Sequence, residues 1–294
     1  MFKEIKIIGL GFMGASLGGA VKSKFAGTTV KGYDIAEKNI DYCISRGIID
    51  EQLNLDSEGF NDDSSKDSLV IMCVPPSSIV SFLDKYADFF AASALITDIG
   101  SVKKPIEAKA KKNNLTNFVG SHPMCGSDKS GPENADFSLF DAKKCIVIKE
   151  SGDYADKERS FNIEKIAGFW KSLNMEVIFT EAEAHDEITA YTSHFPHLVA
   201  FLLSDTALSH AKNKKFSSFA SFIGGGFKDS TRIASSSPDL WTDIFLMNDE
   251  NIISSLDNFI ASANSIKGLI ETGDRSGLVS YLKKIYEDRK EAGI

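Results

Sequence analysis

Two polar segments of the chain, residues 97–103 and 120–131, contain side chains that a hydrophobic core would exclude. The second segment contains His122, flanked by glycines, and an imidazole can accept a proton near neutral pH. A general base is one interpretation of His122, and a structural histidine is the other. Ser101, in the first segment, could orient His122 or bind a ligand, and it could also cap a predicted helix at residues 102–111.

A glycine pattern, Gly9-x-Gly11-x-x-Gly14, directly follows a predicted strand at residues 5–9 and opens a predicted helix. The glycines permit a tight turn and a close approach to a pyrophosphate, which the N-terminus of the helix would stabilise. An acid, Asp34, ends the next predicted strand. Its carboxylate could accept a hydrogen bond from the ribose 2′-hydroxyl and would repel a 2′-phosphate, so the pattern favours NAD over NADP. A glycine turn without a ligand is the alternative.

Further cofactor contacts are expected around this turn. Residues 73–76 close another predicted strand, where they would cover the cofactor, and a simple strand terminator is the alternative interpretation. Ser101 could bond the carboxamide of the nicotinamide. Beyond the glycines and Asp34, the expected cofactor contacts are Phe12, Met13, Val74, Pro75, Asp98 and Ser101.

The elements that would position these residues alternate between strands and helices. Strands are predicted at residues 5–9, 30–33, 69–74, 94–98, 118–120, 144–149 and 177–179, with helical segments between them. This alternation is typical of βαβ units on a parallel sheet. It predicts an α/β protein with a Rossmann-type domain at residues 1–180. Both polar segments follow strands, so they should lie at the carboxyl edge of the sheet, where open α/β sheets bind ligands.

Residues 181–294 show long helical periodicity instead, at 188–208, 249–271 and 278–291, and predict an all-helical second domain. The exception is a predicted loop at residues 223–238. It contains three consecutive glycines, Gly225 among them, and we expect it to shape a site.

Composition excludes several classes of protein. The chain has 294 residues, 43% hydrophobic and 25% charged, and a formal net charge of −8. This charge argues against nucleic acid or anionic lipid as partners and favours small molecules. Four widely spaced cysteines are expected to be reduced thiols. The sequence has no recognisable leader and no apolar run of membrane-spanning length, so a cytoplasmic protein is expected.

Three histidines lie close together in the second domain, at His185, His194 and His197. The last two share one face of a helix, but the first lies two and a half turns away from His194. The spacing does not favour a metal site, and no metal is expected.

The chain resembles the prephenate and arogenate dehydrogenase family over nearly its whole length. The matching segments, specific in this order, are Gly9-Leu-Gly-Phe-Met-Gly14, Asp98-Ile-Gly-Ser-Val-Lys103, Gly120-Ser-His-Pro-Met-Cys-Gly126, His185-Asp186, Thr192-Ser-His-Phe-Pro-His197 and Gly224-Gly-Gly-Phe-Lys-Asp-Ser-Thr-Arg-Ile-Ala234. The resemblance implies oxidative decarboxylation of prephenate with NAD, in tyrosine biosynthesis. Arogenate is the alternative substrate.

The resemblance also implies roles for individual residues. His122 matches the catalytic histidine of the family, and Ser101 matches its serine partner beside the nicotinamide. Arg232 matches the arginine that binds a substrate carboxylate, and a guanidinium suits this role because it can donate two parallel hydrogen bonds. His197 and Trp241 match the pair that shapes the substrate pocket.

An ionic gate beside the substrate is expected from Asp128, Asp229 and Arg232, with Gly225 close by. The family commonly has a glutamate where this chain has Asp128, which reaches one methylene less far. A homodimer formed through the helical domains is also expected, since the apolar segments at 198–203 and 252–266 are too long to be covered within one small domain.

Two other functions remain open at this stage. A β-hydroxyacid-type dehydrogenase would need a catalytic lysine in the second domain, for which the sequence offers no persuasive counterpart. A non-catalytic NAD-binding protein would not need Ser101, His122 and Arg232, all of which are retained.

Overall fold

Five parallel strands form the first sheet of the protein, in the order β3-β2-β1-β4-β5. The computed structural model describes residues 2–55, 67–93, 95–126, 129–154, 156–214 and 216–293. The five strands are β1 (Glu4–Ile8), β2 (Thr29–Tyr33), β3 (Glu51–Gln52), β4 (Ser68–Met72) and β5 (Leu95–Asp98). This architecture confirms the predicted Rossmann-type domain.

Helices connect these strands and cover the sheet. They are α1 (Phe12–Lys24), α2 (Glu37–Ser45), α3 (Pro76–Lys85), α4 (Ala87–Ala92) and α5 (Lys104–Lys112). Alternate residues of β4 enter two separate cores, Leu69 and Ile71 in one and Val70 and Met72 in the other. A strand buried on both faces needs apolar residues at every position, which explains its continuous apolar sequence.

A second sheet has three strands in the order β6-β7-β8. Its elements are β6 (Ser121–Pro123), β7 (Lys144–Ile148), α6 (Lys157–Ser172) and β8 (Glu176–Thr180). β6 runs antiparallel to β7, whereas β7 and β8 are parallel. The predicted strand at 118–120 is wrong. The N–H of Phe118 closes a turn by donating to the carbonyl of Leu115, so only an isolated bridge joins Phe118 to Ile96. The strand begins later, at Ser121.

The next part of the chain is a broken helix rather than the single predicted helix at 188–208. α7 (Ala182–Thr189) and α8 (Phe195–Asn213) are joined by a π-helical turn at Ala190–His194. Pro196 has no N–H to donate to the carbonyl four residues earlier, so the regular α-helical ladder is interrupted at this point. Such π-helical turns are frequent at functional sites.

The predicted loop at 223–238 is also wrong, because most of it is helical. α9 (Gly225–Thr231) begins after the extended residue Gly224 and continues into a 3₁₀ turn at Arg232–Ser235. α10 (Pro238–Met247) follows, capped by the side chain of Ser237.

The structure divides into two compact units, Met1–Asn248 and Asp249–Ile294. The second unit is a pair of helices, α11 (Asp249–Glu271) and α12 (Arg275–Glu291). The described residues after Thr180 contain no strand, which confirms the all-helical prediction. The predicted domain boundary near Thr180 stays a prediction. No helix in the described ranges has the length and apolar character needed to cross a bilayer.

Candidate active site

The glycine turn between β1 and α1 is tightly closed. Gly9 has a φ of 96°, which favours glycine, and its N–H donates to the carbonyl of Tyr33 over 2.7 Å. A Cβ added at Gly14 would overlap the carbonyl oxygen of Gly9. The N-cap of α1 is Gly11, which has no side chain to satisfy the first N–H groups of the helix. These groups and the helix dipole favour an anion at this position.

Asp34 lies beside this turn, at the end of β2. Its carboxylate accepts hydrogen bonds from the N–H of Leu10 at 2.7 Å and of Ala36 at 2.8 Å. The acid is therefore fixed next to the glycine turn. The Cγ1 atom of Val74 also lies here, where a Cβ on Gly9 would meet it, and Pro75 forms the N-cap of α3.

A buried polar network joins the end of β5 to β6. Asp98 and Lys103 are both fully buried and form an ion pair. The Lys103 ammonium also donates to the carbonyl of Ser121 over 2.9 Å, and the Ser121 hydroxyl donates to the carbonyl of Asp98 over 2.6 Å. The indole of Trp170 donates to that hydroxyl over 3.0 Å. These bonds hold the strand that carries His122 in a fixed position.

His122 is the middle residue of β6 and is partly buried. Its Nδ1 lies 2.9 Å from Nε2 of His185 on α7, and Nδ1 of His185 lies 2.7 Å from Oδ1 of Asp186. Burial, followed by the nearby charges of His185 and Lys103, holds the pKa of His122 well below its ordinary value of 6.5. The imidazole is therefore neutral near pH 7 and can accept a proton.

Asp186 is held by the start of α5. Its two carboxylate oxygens accept the N–H groups of Lys103 at 2.7 Å and Lys104 at 2.8 Å. The predicted N-cap role of Ser101 is wrong, because α5 begins at Lys104 and a carboxylate from another helix caps it. A carboxylate bonds two N–H groups at once, which a serine hydroxyl three residues before the helix does not reach.

The helices after Thr180 bring three predicted substrate residues together. The rings of His197 and Trp241 are stacked. Burial lowers the pKa of His197, and the nearby positive charge of Arg232 lowers it further, which places Arg232 close to His197. Trp241 packs with Val102, the neighbour of Ser101. The serine, the histidine–tryptophan pair and the arginine thus lie in one region of the larger unit.

The remaining predicted residues lie as follows. Gly225 opens α9, where a Cβ would come within 3.9 Å of the Asp229 carboxylate. Asp128 falls outside the described residues. Asp98, predicted as a cofactor contact, is fully buried, with its carboxylate bonded to Lys103 and to the N–H of Gly100 at 2.8 Å.

Comparison with known proteins places this arrangement in a family. Residues 17–179 match the nucleotide-binding domain of prephenate dehydrogenase, and residues 181–284 match its dimerization domain. The chain belongs to the prephenate dehydrogenase family. The matched stretches contain His122, His185 and Arg232, so these three residues of the site lie in that family's two domains.

Individual relatives cover nearly the whole chain. A prephenate dehydrogenase of Bacillus subtilis is 32% identical over 98% of this chain and 76% of its own length. A cyclohexadienyl dehydrogenase of Zymomonas mobilis is 30% identical over 98% of this chain and 96% of its own length. The crystal structure of prephenate dehydrogenase from A. aeolicus, in complex with hydroxyphenyl propionate and NAD+, is 32% identical, covers 99% of both chains and has a TM-score of 0.85.

Sequence reasoning missed the environment of the family's histidine. His185 and Asp186 were recognised as a matching dipeptide, and His185 as one of three neighbouring histidines, but the contact of His185 with His122 joins residues 63 positions apart. Lys103 gave no local sign of being fully buried. Ile35, beside Asp34, is 96% exposed, which the sequence did not predict.

His194, in the π-helical turn, is a further buried histidine of this region. Its Nδ1 lies 3.1 Å from the amide nitrogen of Asn248. Its Nε2 has no hydrogen-bond partner of good geometry among the described residues, although the Ser101 backbone lies close enough to act on its pKa. Within the same described ranges, no group of three or more histidine, cysteine and carboxylate side chains could hold a metal ion.

Proposed function

We propose that this chain oxidises and decarboxylates prephenate to 4-hydroxyphenylpyruvate, with NAD as the hydride acceptor. One observation carries the proposal. The A. aeolicus relative, similar over 99% of both chains, is in complex with NAD+ and with hydroxyphenyl propionate, and the ring of prephenate becomes such a hydroxyphenyl group when it loses its carboxylate. The neutral imidazole of His122 supplies the base that this reaction requires.

The residues of the glycine turn fit a dinucleotide. A Cβ at Gly11 would meet no atom of the described residues within 4 Å, so the space beside this glycine is open, and the uncapped N-terminus of α1 supplies N–H donors for a pyrophosphate. Asp34 supplies an acceptor for a ribose hydroxyl. Bound NAD would accept a hydride from the hydroxyl-bearing ring carbon. Phe12, Met13, Val74, Pro75, Asp98 and Ser101 complete the proposed set of contacts.

Three tasks fall to the side chains of the chain itself. His122 accepts the proton of the ring hydroxyl as the carbon–oxygen double bond forms. Arg232 binds a substrate carboxylate, with Asp229 and Asp128 as its proposed ionic neighbours. His197 and Trp241 hold the ring and side chain of the substrate. The bond to the ring carboxylate then breaks and carbon dioxide leaves. The electron pair of that bond makes the ring aromatic, and the ring oxygen takes the proton back from His122 to give the hydroxyphenyl product.

Arogenate is the second candidate substrate, and one observation favours keeping it. The Zymomonas relative, 30% identical over 98% of this chain, is called a cyclohexadienyl dehydrogenase, a name that describes the ring that prephenate and arogenate share. The two substrates differ only in a keto or an amino group on the side chain.

A four-way assay tests the proposal. Purified enzyme is given prephenate or arogenate with NAD or NADP, and NADH or NADPH is followed at its absorbance maximum. We expect prephenate with NAD to give the highest kcat/KM. Absence of turnover with all four pairs would refute the proposed reaction, and a preference for arogenate would replace prephenate as the substrate.

A homodimer formed through the helices after Thr180 is also proposed. This part matches a domain described as a dimerization domain. Leu202, Leu203 and Leu208 are exposed on α8, and in the second unit Leu282 and Ile285 are exposed on α12. Exposed apolar side chains in such numbers favour an interface. Light scattering at micromolar concentration should give twice the chain mass of 32.1 kDa. The cytoplasmic location stays a prediction.

A further inference from the structure

Three side chains form a continuous hydrogen-bonded chain behind the proposed base. His122, on β6, contacts His185 over 2.9 Å, and His185 contacts Asp186 over 2.7 Å. His185 and Asp186 are each only 1% exposed, so water does not compete for these bonds. The two imidazole rings meet edge to face, with centroids 5.1 Å apart and planes at 64°.

We propose that His185 and Asp186 are positioning residues that hold His122 in the tautomer with its proton on Nδ1, so that the Nε2 lone pair is the one available to the substrate hydroxyl. The inference rests on the proposed role of His122 as the base. It assigns the direction of each hydrogen bond in the chain, and with it the nitrogen that takes the proton.

The direction starts at Asp186. Its carboxylate already accepts two backbone N–H groups, from Lys103 and Lys104, at the positive end of α5. An ionised carboxylate can only accept hydrogen bonds, so the bond to Nδ1 of His185 requires a proton on that nitrogen. A neutral imidazole carries one N–H, so Nε2 of His185 is left as an acceptor.

The same reasoning continues to His122. Because Nε2 of His185 accepts, Nδ1 of His122 must donate, and the second nitrogen of His122 keeps its lone pair. A neutral histidine side chain in water favours the opposite tautomer, with the proton on Nε2, which would present a donor to a substrate hydroxyl. The chain of contacts therefore selects the form of His122 that can act as a base.

The charges around the chain determine how it responds to the transferred proton. Lys103 and His194 face His122 and oppose its protonation, whereas Asp186 faces His185 and stabilises positive charge there. Asp98 lies against Lys103 and offsets its charge. Once His122 takes a proton on Nε2, its Nδ1–H bond to His185 becomes a charge-assisted bond, which is stronger than the neutral one.

The tautomer can be observed directly, without any substrate. The chain has only five histidines, so protein labelled with ¹⁵N-histidine gives few imidazole signals, and single substitutions assign them. In the wild-type protein at pH 7.5, the long-range ¹H–¹⁵N pattern of His122 should show a protonated Nδ1 and an unprotonated Nε2. The Nε2–H pattern on His122 would overturn the proposal, whatever the enzyme assay shows.

The kinetics of two His185 variants distinguish a positioning role of His185 from a purely structural one. His185→Leu removes the acceptor for His122, whereas His185→Gln keeps an amide oxygen near the position of Nε2. We expect His185→Leu to lower kcat by about 10² or more with little change in KM, and His185→Gln to recover at least about tenfold. Equal losses in both variants, or a loss only in KM, would overturn the proposal.

Asp186→Ala gives a second, independent test. It removes the acceptor for Nδ1 of His185, so that His185 can carry its proton on Nε2 and donate to Nδ1 of His122, which places the proton of His122 on Nε2. We expect a loss of kcat of about 10²–10⁴, together with the reversed ¹⁵N pattern of His122. An unchanged pattern would contradict the role of Asp186 in selecting the tautomer.

The control is Thr189→Ala on the same helix. The Thr189 hydroxyl donates to the backbone carbonyls of His185 over 2.8 Å and of Asp186 over 3.3 Å, and not to the side chains that form the chain. This variant should lose stability but keep kcat and the Nδ1–H tautomer of His122. If the control lost kcat as His185→Leu does, the effect would belong to the helix and the proposal would fail. A wild-type protein with the expected tautomer but no turnover would instead refute the proposed function alone.

Discussion

The rings of His197 and Trp241 stack with centroids 3.7 Å apart and planes 22° from parallel. Trp241 is only 7% exposed and also packs on Val102 and Ile244. Trp241→Ala should therefore lower the free energy of unfolding by about 3–5 kcal/mol, the usual cost of deleting a buried tryptophan side chain. Trp241→Phe keeps an aromatic partner for His197 and should lose much less.

Urea unfolding of both Trp241 variants measures this difference, and KM for prephenate measures the effect on the pocket. We expect KM to rise more in the alanine variant than in the phenylalanine variant. An alanine variant as stable as the wild type would show that the stacked pair contributes little to the fold.

The carboxylate of Asp34 should determine the choice of cofactor. Asp34→Asn keeps one of the two oxygens that accept the Leu10 and Ala36 N–H groups and removes the charge that repels a 2′-phosphate. Adding Ile35→Arg places a cation at the fully exposed neighbouring position. The double variant should shift the ratio of kcat/KM values toward NADP.

Ile35→Ala alone is the matched control for the cofactor experiment, because it changes the surface without adding charge. It should leave the preference for NAD in place. Equal efficiency of the wild-type enzyme with NAD and NADP would contradict the role of Asp34.

His122 and Arg232 should fail in different ways when they are replaced. His122→Asn removes the base and should lower kcat by about 10²–10⁴ with little change in KM. Arg232→Ala removes a charged hydrogen-bond donor and should chiefly raise KM. The rise should correspond to a loss of binding free energy of about 1.5–3 kcal/mol. Arg232→Lys should recover only part of that loss, because lysine cannot donate a bidentate pair.

Steady-state kinetics of these three variants test the division of roles. Near-normal turnover of His122→Asn would remove His122 from the mechanism. An unchanged KM in Arg232→Ala would show that another group binds the carboxylate.

Lys103 should contribute more to the free energy of unfolding than a surface lysine does. Both members of its ion pair with Asp98 are fully buried, so Lys103→Met leaves an unpaired buried carboxylate. Breaking such a pair from one side costs about 3–5 kcal/mol. The double variant Lys103→Met with Asp98→Asn removes both charges and should be more stable than the single variant. Urea unfolding that ranked the two in the opposite order would contradict this account.

Acid should destabilise the protein below about pH 6.5. Burial lowers the pKa values of His122, His185, His194 and His197, that of His194 to about 4. Between these values and 6.5 the unfolded chain binds protons that the native state does not, so stability rises with pH in this window and is lost as pH falls. For His194 alone the effect is on the order of 3 kcal/mol.

Thermal unfolding of His194→Gln and of the wild type, between pH 7.5 and 4.5, isolates this contribution. Burial raises the pKa of Glu107 to about 7, so protonation of Glu107 stabilises the native state as pH falls. This contribution is the same in the variant and in the wild type and does not affect their difference. The variant should lose less stability than the wild type as pH falls. Identical pH dependence would show that His194 is protonated as easily in the folded chain as in the unfolded one.

The cofactor half of the site was accessible from the sequence because its geometry is local. Gly9, Gly11 and Gly14 lie within six residues of one another, and a strand, a tight turn and a helix N-terminus follow from that stretch alone. Asp34 is one helix further on, at the end of the neighbouring parallel strand. The order of elements in a βαβ unit has few solutions, so the fold class followed as well.

The environment of His122 depended on contacts between residues distant in the sequence. Asp186 caps a helix that begins 82 residues earlier, and His185 reaches a strand 63 residues earlier. Neither contact can be predicted from the periodicity or spacing of residues along the chain, because both form only when α7 packs next to β6 and the start of α5. Residue types alone showed that a histidine could act as a base. The packing around it decided its tautomer, its lowered pKa and the loss of the capping role predicted for Ser101, since burial and hydrogen-bond direction exist only in the folded chain.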